Sequence, residues 1–439
     1  MRELKGYDFL TLKAISRPAC VIRWVFLESR SVASAPLCPR IACRRSRSLS
    51  EGAARKVGVV TGVAGETNGS LMTRKSLRIL VTGAGGLLGS ELSGALAERG
   101  HAVVAMLHHS TAMHRNDGQP LSARPWDGTL PPPGEVAALR GDVRQPGLGL
   151  DGTSLADIVR GLDLVIHAAA ATGFNLSERV YREVNIGGTA NVLALIAQGG
   201  KAPIPLLHLS TAYVCGERSG SVTEGELDVG QRFANGYESS KAEAERLVRA
   251  AQQQGGASVV ARPSIVVGRY HDGTIGQFTN IYALIRLVTA GRIRILPASP
   301  CASLDLVPID HVIGGLTDIA ERMAAALGRT YHLVSGAPVP VAALRTLALG
   351  YQHLHAPRFV PPETFERARL TRTEQTLHRQ VTSFYASYLQ RDPWFQDENL
   401  RALSGRTCPR PDQAFLQRLI DYGIATGYLR GRTVQRTSG

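Results

Sequence analysis

The chain has 439 residues, 44% hydrophobic and 20% charged, with a formal net charge of +14. That composition excludes a disordered, fibrous or membrane-embedded chain and leaves room for one large α/β domain with an appended lobe, or for two domains; the longest apolar runs are too short, or too interrupted by arginine, to span a bilayer. The charge does not argue for nucleic acid, because residues 1–75 hold 14 Lys/Arg against 5 Asp/Glu, or +9, and the other 364 hold 36 against 31, or only +5.

In chain order, residues 1–75 are arginine- and serine-rich without sustained periodicity and are expected to be a disordered basic tail. Either an overextended start precedes the true one at Met72, or the tail is an organelle-type presequence. Within it, Val59-Val60-Thr61-Gly62-Val63-Ala64-Gly65 opens like a phosphate-binding turn, but its third glycine position is Asn68 and no helical run follows. The six cysteines (Cys20, Cys38, Cys43, Cys215, Cys301, Cys408) contain no C-x-x-C pair. They are expected to be reduced thiols of a cytoplasmic protein, with no disulfide frame and no metal site.

Leu77, Ile79, Leu80 and Val81 make a nearly continuous apolar strand, and Leu88, Leu92 and Leu96 recur at helical spacing until Gly100. Between them Thr82-Gly-x-x-Gly-x-x-Gly sets Gly83, Gly86 and Gly89 where a tight turn, close approach of a pyrophosphate and close helix packing each require glycine, with Leu87 and Leu88 on the helix N-terminus. His101–Leu107 is a second buried strand. In dinucleotide sites a carboxylate about 20 residues past the glycines holds the ribose 2′-hydroxyl of NAD. Here His108, His109 and Ser110 follow instead, with Arg115 further on, so NADP(H) is the preferred cofactor and NAD(H) the alternative.

Arg115 to Gly134 is rich in Pro and Gly and is expected to be a loop. Ala137–Val143 gives a third strand with Asp142 and Val143 at its end, and Asp163–Ala170 a fourth that breaks into Ala168 and Ala169, small enough for a dinucleotide to lie against. A helix starts at Glu183 and carries Asn185, a candidate cofactor contact, and Leu206–Ser210 is the fifth strand. It leads into Thr211, and Tyr237 and Lys241 follow 26 and 30 residues later, four apart on a long helix. That spacing stacks them on one face, where the ammonium can lower the tyrosine pKa from about 10 towards working pH. Such a tyrosine can pass the proton that accompanies hydride movement at a carbonyl, while Thr211 hydrogen-bonds the same oxygen.

The glycine turn, the Ser210-Thr211 strand end and Tyr237-x-x-x-Lys241 together resemble the extended short-chain dehydrogenase/reductase family over residues 76–345. Ser-Thr-Ala-Tyr-Val-Cys-Gly (210–216) and Gly-Tyr-Glu-Ser-Ser-Lys-Ala-Glu-Ala-Glu (236–245) look most like its thioester reductase and fatty acyl-CoA reductase branch, the male-sterility-type domain. The resemblance implies NADPH-dependent reduction of an acyl thioester to an aldehyde or alcohol, with Thr211, Tyr237 and Lys241 as the catalytic group, Tyr237 and Lys241 also contacting the cofactor and Lys241 holding its ribose. Two departures stand out: the second strand ends in His-His where that branch usually has arginine, and no carrier-protein or adenylation domain adjoins.

Val259–Gly268 is expected to be a sixth strand, and its end, with Pro263 and Ser264, resembles the segment that passes beside the nicotinamide in that family. Leu304–Val312 resembles the short strand and helix start after the substrate pocket. Phe278–Leu287 is an apolar helix, after which Arg292 and Arg294 flank Ile293, either to meet pantetheine or CoA phosphates or as an exposed basic edge. Tyr331–Val334 is a last edge strand; Arg367–Gln390 is a polar helix with an apolar face, and a final helix lies near Phe415–Tyr422.

The expected architecture is a Rossmann-type doubly wound parallel α/β sheet with a smaller C-terminal substrate lobe: residues 1–75 tail, 76–345 dinucleotide domain with substrate lobe, 346–439 helical cap. The expected function is a reductase of an acyl-CoA or acyl-carrier thioester; a nucleotide-sugar epimerase or dehydratase, a hydroxysteroid-type dehydrogenase and a non-catalytic NADP-binding scaffold are the alternatives. A homodimer is left open.

Overall fold

The computed structural model describes residues 75–110, 112–199 and 203–430; the basic tail, the Val59–Gly65 segment, Cys20, Cys38 and Cys43 lie outside the described residues. Eight strands, β1 (Arg78–Thr82), β2 (Ala102–Leu107), β3 (Arg124–Pro125), β4 (Val136–Arg140), β5 (Leu164–His167), β6 (Leu206–Leu209), β7 (Ser258–Pro263) and β8 (Thr330–Leu333), form one sheet. Its order is β8-β7-β6-β5-β1-β2-β4-β3, and every pairing is parallel. The winding reverses between β1 and β5, which opens a crevice at their carboxyl ends, where such sheets bind ligands.

Helices cover both faces, so alternate residues of each strand enter two different cores. Ile79 and Val81 pack with Leu92 and Leu96 of α1 (Leu87–Glu98) and with Val312, Leu316 and Ile319 of the Ile309–Glu321 helix. Leu80, Val104 and Val165 face the other way, onto Ile158 of α2 (Gly152–Gly161), Val192 and Leu195 of α3, and Val248 of α4 (Gly236–Gln253). Helix α3 runs through Glu178–Tyr181 and Gly188–Ile196, with a wide π turn at Arg182–Gly187 between them. A third core holds the second lobe together, bringing Tyr213 and Val222 against Ile281, Leu304, Tyr388, Phe395 and Phe415.

Several boundaries differ from those read in the sequence. The sixth strand breaks at Ser264: Ser258–Pro263 stays in the main sheet, whereas Ile265–Val267 pairs with Leu306–Pro308. The break is fixed by buried Asp305, whose carboxylate accepts from Ser264 Oγ at 2.5 Å and from Ser335 N and Oγ at 2.8 Å each. The apolar helix begins later than its pattern, as α5 (Ile281–Thr289), because Asn280 adopts φ 51°. The long polar helix is interrupted: α6 (Arg372–Leu377) starts behind the Thr371 cap, widens at His378–Thr382 and ends at Ser383–Tyr385. Asp142 and Val143 lie in the turn beyond β4, not on it. Among the described residues, no helix is long and apolar enough to cross a membrane.

Two buried ion pairs fasten α4. Near its start, Glu238 meets Arg391 at 2.6 Å; two turns on, Glu245 meets Arg262 of β7 at 2.6 Å. All four side chains are at most 4% exposed. Removing Arg262 leaves the buried Glu245 carboxylate with only the partly exposed Arg249 at 2.9 Å, so Arg262→Met should destabilise the protein by about 3 kcal/mol in urea unfolding, and adding Glu245→Leu should recover part of that loss. Equal stability of Arg262→Met and the native protein would contradict this.

Candidate active site

The glycine turn is built as its spacing requires. Gly83 has φ 71°, and a Cβ there would lie 2.5 Å from Ala169 N. A Cβ on Gly89 would lie 2.2 Å from Gly83 O, so both positions exclude any side chain. Gly86 caps α1 and offers no side chain to the first helical N–H groups, leaving donors for an anion at the positive end of the helix dipole.

A cleft of about 620 Å³ starts at this turn and runs along the carboxyl ends of the strands. Gly83, Gly86, Leu87, Leu88 and Gly89 line one end; His108, His109, Asp142 and Val143 line a side; Ala168 and Ala169 form the floor. Thr211, Tyr237, Lys241, Pro263 and Ser264 complete the far end. Another hollow, of about 850 Å³ beside Trp394 and Arg401, contains none of these groups.

Asn185 does not line the cleft. It is 1% exposed, accepts from Ala171 N at 2.7 Å and donates to Ser240 Oγ at 2.8 Å, and that hydroxyl bonds the Tyr237 carbonyl at 2.9 Å. It therefore braces the wall and the first turn of α4. The π turn sets it there, and Thr189 Oγ1 satisfies the Asn185 carbonyl at 2.7 Å.

Asn235 caps α4 by accepting from Glu238 N at 2.9 Å, and Glu238 reaches back to Ala234 N at 3.0 Å. Tyr237 and Lys241 then follow on one face. Lys241 is 2% exposed and donates to the Leu209 carbonyl at 2.6 Å; burial lowers its pKa to about 8. Tyr237 departs from expectation: burial pushes its pKa up to about 12, and the Thr211 hydroxyl draws it down only in part. The desolvation of the phenol outweighs an ammonium whose proton is directed at a carbonyl.

Beyond β2 the cationic side chain is Arg144, which sequence reasoning missed. Its guanidinium grips Asp142 at 2.8 Å and lies 3.2 Å from His108 Nε2, and it lines the cleft. Arg115, the arginine expected here, is held on α1 by Glu91 at 2.9 Å and by Glu98. Also missed was an aromatic group beside the phenol: Phe174 has its ring 5.9 Å from Tyr237, 5.4 Å from Tyr385 and 5.7 Å from Tyr388. No local signal marks these rings, since 174 and 385 are joined only by tertiary structure. Arg294, one of the two arginines after the apolar helix, is paired with Glu374 at 2.9 Å.

Comparison with known proteins settles the lineage. The family described as male sterility protein matches residues 81–316. The chain belongs to the male sterility protein family, within the extended short-chain dehydrogenases/reductases. Other members of that wider family are its curated relatives. One is the 4-hydroxy-2-methyl-3-oxo-4-farnesyl-3,4-dihydroquinoline-1-oxide ketoreductase of Stigmatella aurantiaca, 30% identical over 284 residues, or 64% of this chain and 75% of the relative. Another is the 2-alkyl-3-oxoalkanoate reductase of Stenotrophomonas maltophilia (strain K279a), 29% identical over 272 residues, or 60% and 72%. The terminal R domain from the myxalamid PKS-NRPS biosynthetic pathway has the same fold, with a TM-score of 0.66 at 22% identity over 81% of this chain and 93% of the domain.

As a male sterility family member the protein is an NAD(P)-dependent oxidoreductase with a nicotinamide cofactor. Its own residues fit such a group: two glycines admit no side chain, a helix N-terminus has free donors, and the floor is made of alanines. Among the described residues no cluster of His, Cys, Asp or Glu could hold a metal ion.

The Lys241 pKa gives a pH test. With a value lowered to about 8, the ammonium is charged below that pH and neutral above it, so affinity for the anionic dinucleotide should weaken as pH rises through about 8. Calorimetric titrations across that range should show the midpoint in the native protein and none in Lys241→Met; a flat profile in the native protein would count against the role of Lys241.

Proposed function

We propose that the protein is an NADPH-dependent reductase of an acyl thioester, held on CoA or on a carrier protein, yielding an aldehyde or an alcohol. The observation that carries this reading is the convergence of Thr211, Tyr237 and Lys241 at one end of the cleft, beside the apolar rings of Phe174, Tyr385 and Tyr388. Residues 76–345 carry the dinucleotide and substrate sites in this reading, and residues 346–439 cap them.

The bound cofactor supplies a hydride to the carbonyl carbon. Thr211 and Tyr237 donate hydrogen bonds to the carbonyl oxygen, which becomes an oxyanion as the carbon turns tetrahedral. A phenol whose pKa is about 12 keeps its proton at neutral pH and serves as the donor. Collapse re-forms the carbonyl and breaks the carbon–sulfur bond; the thiolate leaves and is protonated. The Lys241 ammonium, desolvated under the cleft, holds the anionic cofactor. At the other end His109 and the Arg144–Asp142 pair line the cleft with no unpaired carboxylate to repel a 2′-phosphate, which supports NADPH over NADH.

A second reading, reduction of a 3-oxo group to an alcohol, is favoured by the names of the two curated relatives. It uses the same donors but leaves no thiol. NADPH oxidation followed together with thiol release on a panel of acyl-CoAs, 3-oxo acids, sterols and nucleotide sugars separates the two: thiol release supports the first reading, and ketone reduction alone replaces it by the second.

On the best substrate, Tyr237→Phe should lower kcat by roughly 10² to 10⁴ with cofactor affinity little changed, and Thr211→Ala by about 10² to 10³. Near-native turnover in Tyr237→Phe would remove the acid from the mechanism. NADPH should bind more tightly than NADH, and His109→Asp should narrow the gap; equal affinities in the native protein would dismiss the NADPH assignment.

A further inference from the structure

Across the wall of the catalytic cleft lies a second concavity, of about 740 Å³. The wall is the segment before α5. Gln277, Thr279 and Asn280 line the cleft, whereas Phe278, in the same segment, lines the neighbouring groove. Asn280 has φ 51° and ψ −117°, a strained backbone for a residue with a side chain, and its carbonyl accepts from Tyr385 Oη at 2.8 Å. Tyr385 in turn touches Phe174, which touches Tyr237. The Tyr237 ring and the Asn280 turn are thus linked through Phe174 and Tyr385.

Three exposed guanidiniums, Arg286, Arg292 and Arg430, line the groove, and no carboxylate does. Arg286 lies 5.4 Å over the Tyr428 ring, and Tyr428 stacks on Phe278 at 4.0 Å. Among the described residues none of the three arginines makes an ion pair. Their neighbours behave differently. Arg294, two residues beyond Arg292, is paired with Glu374, and Arg369 is paired with Glu366. Arg430 Nε donates to the Gly427 carbonyl at 3.2 Å and Arg286 bonds Tyr428, but neither fork meets a carboxylate; such forks in a concave site match an anion with several acceptor oxygens, and a guanidinium binds phosphate through parallel N–H···O bonds.

We propose that this groove holds the phosphate of the phosphopantetheine handle that presents the thioester, so that the acyl group reaches Tyr237 over the Gln277–Asn280 wall. The inference rests on the thioester reading above and adds the place where the handle is gripped. Phosphopantetheine occurs both within CoA and on carrier proteins, and the shared phosphate is what Arg286, Arg292 and Arg430 meet.

The test compares one acyl group on three handles: CoA, free phosphopantetheine, and N-acetylcysteamine, which has no phosphate. In Arg286→Ala/Arg292→Ala, the kcat/KM of each phosphate-bearing thioester relative to the N-acetylcysteamine thioester should fall about tenfold or more, the worth of a lost charged hydrogen bond, and mainly through KM. A fall for both phosphate-bearing handles assigns the groove to the pantetheine phosphate itself; a fall for CoA alone assigns it to the nucleotide phosphates. Thioester turnover with both ratios unmoved overturns the groove proposal and leaves the thioester reading intact. Absence of turnover on all three handles by the native protein, with a ketone reduced, refutes the thioester reading and the groove proposal with it.

Discussion

Everything at the catalytic end depends on how α4 is fastened. The helix carries Tyr237 and Lys241, and a lysine that is 2% exposed keeps its position only if its helix cannot roll. Two carboxylates seven residues apart, Glu238 and Glu245, point inward from it, and each finds an arginine from a different part of the chain. Arg262 comes from the neighbouring sheet strand, whereas Arg391 comes from the C-terminal region and lies 4.3 Å from the Tyr388 ring and 4.9 Å from the Tyr213 ring. An apolar face alone would tolerate rotation of a helix by a fraction of a turn; buried, directional ion pairs do not. The same desolvation that makes those pairs rigid lowers the Lys241 pKa and raises that of Tyr237.

What could be read from the sequence was what short-range spacing encodes. Gly83, Gly86 and Gly89 are constrained by a turn spanning seven residues, and Tyr237 and Lys241 by a single helical turn, so their placement follows from local geometry. The Rossmann-type sheet was legible for a similar reason, since each strand is a self-contained apolar run and the order of strands and helices limits the topology.

Where the reading went astray, a distant residue had intervened. Arg115 was placed near the cofactor by its distance from β2, but the loop turns back on α1, where Glu91 and Glu98 form a carboxylate pair that captures it. The guanidinium that lines the cleft is that of Arg144, paired with Asp142 two residues away. Asn185 was expected to touch the cofactor, yet a π turn invisible to helical periodicity rotates it onto Ala171 and Ser240. The strand pattern of 259–268 concealed a change of sheet because Asp305, more than 40 residues on, decides where the strand ends.

The pairing of Glu238 with Arg391 also sets an order of events for a chain made from its N-terminus. All eight strands of the main sheet, the last ending at Leu333, have left the ribosome before Arg391 is joined. Until then, Glu238 is an unmatched acid at the head of the catalytic helix, and strand Gly220–Val222 lacks its partner Pro393–Phe395. A nascent chain can therefore hold a nearly complete nucleotide-binding sheet while the helix that carries Tyr237 and Lys241 still lacks the Arg391 latch, which only 39 described residues follow.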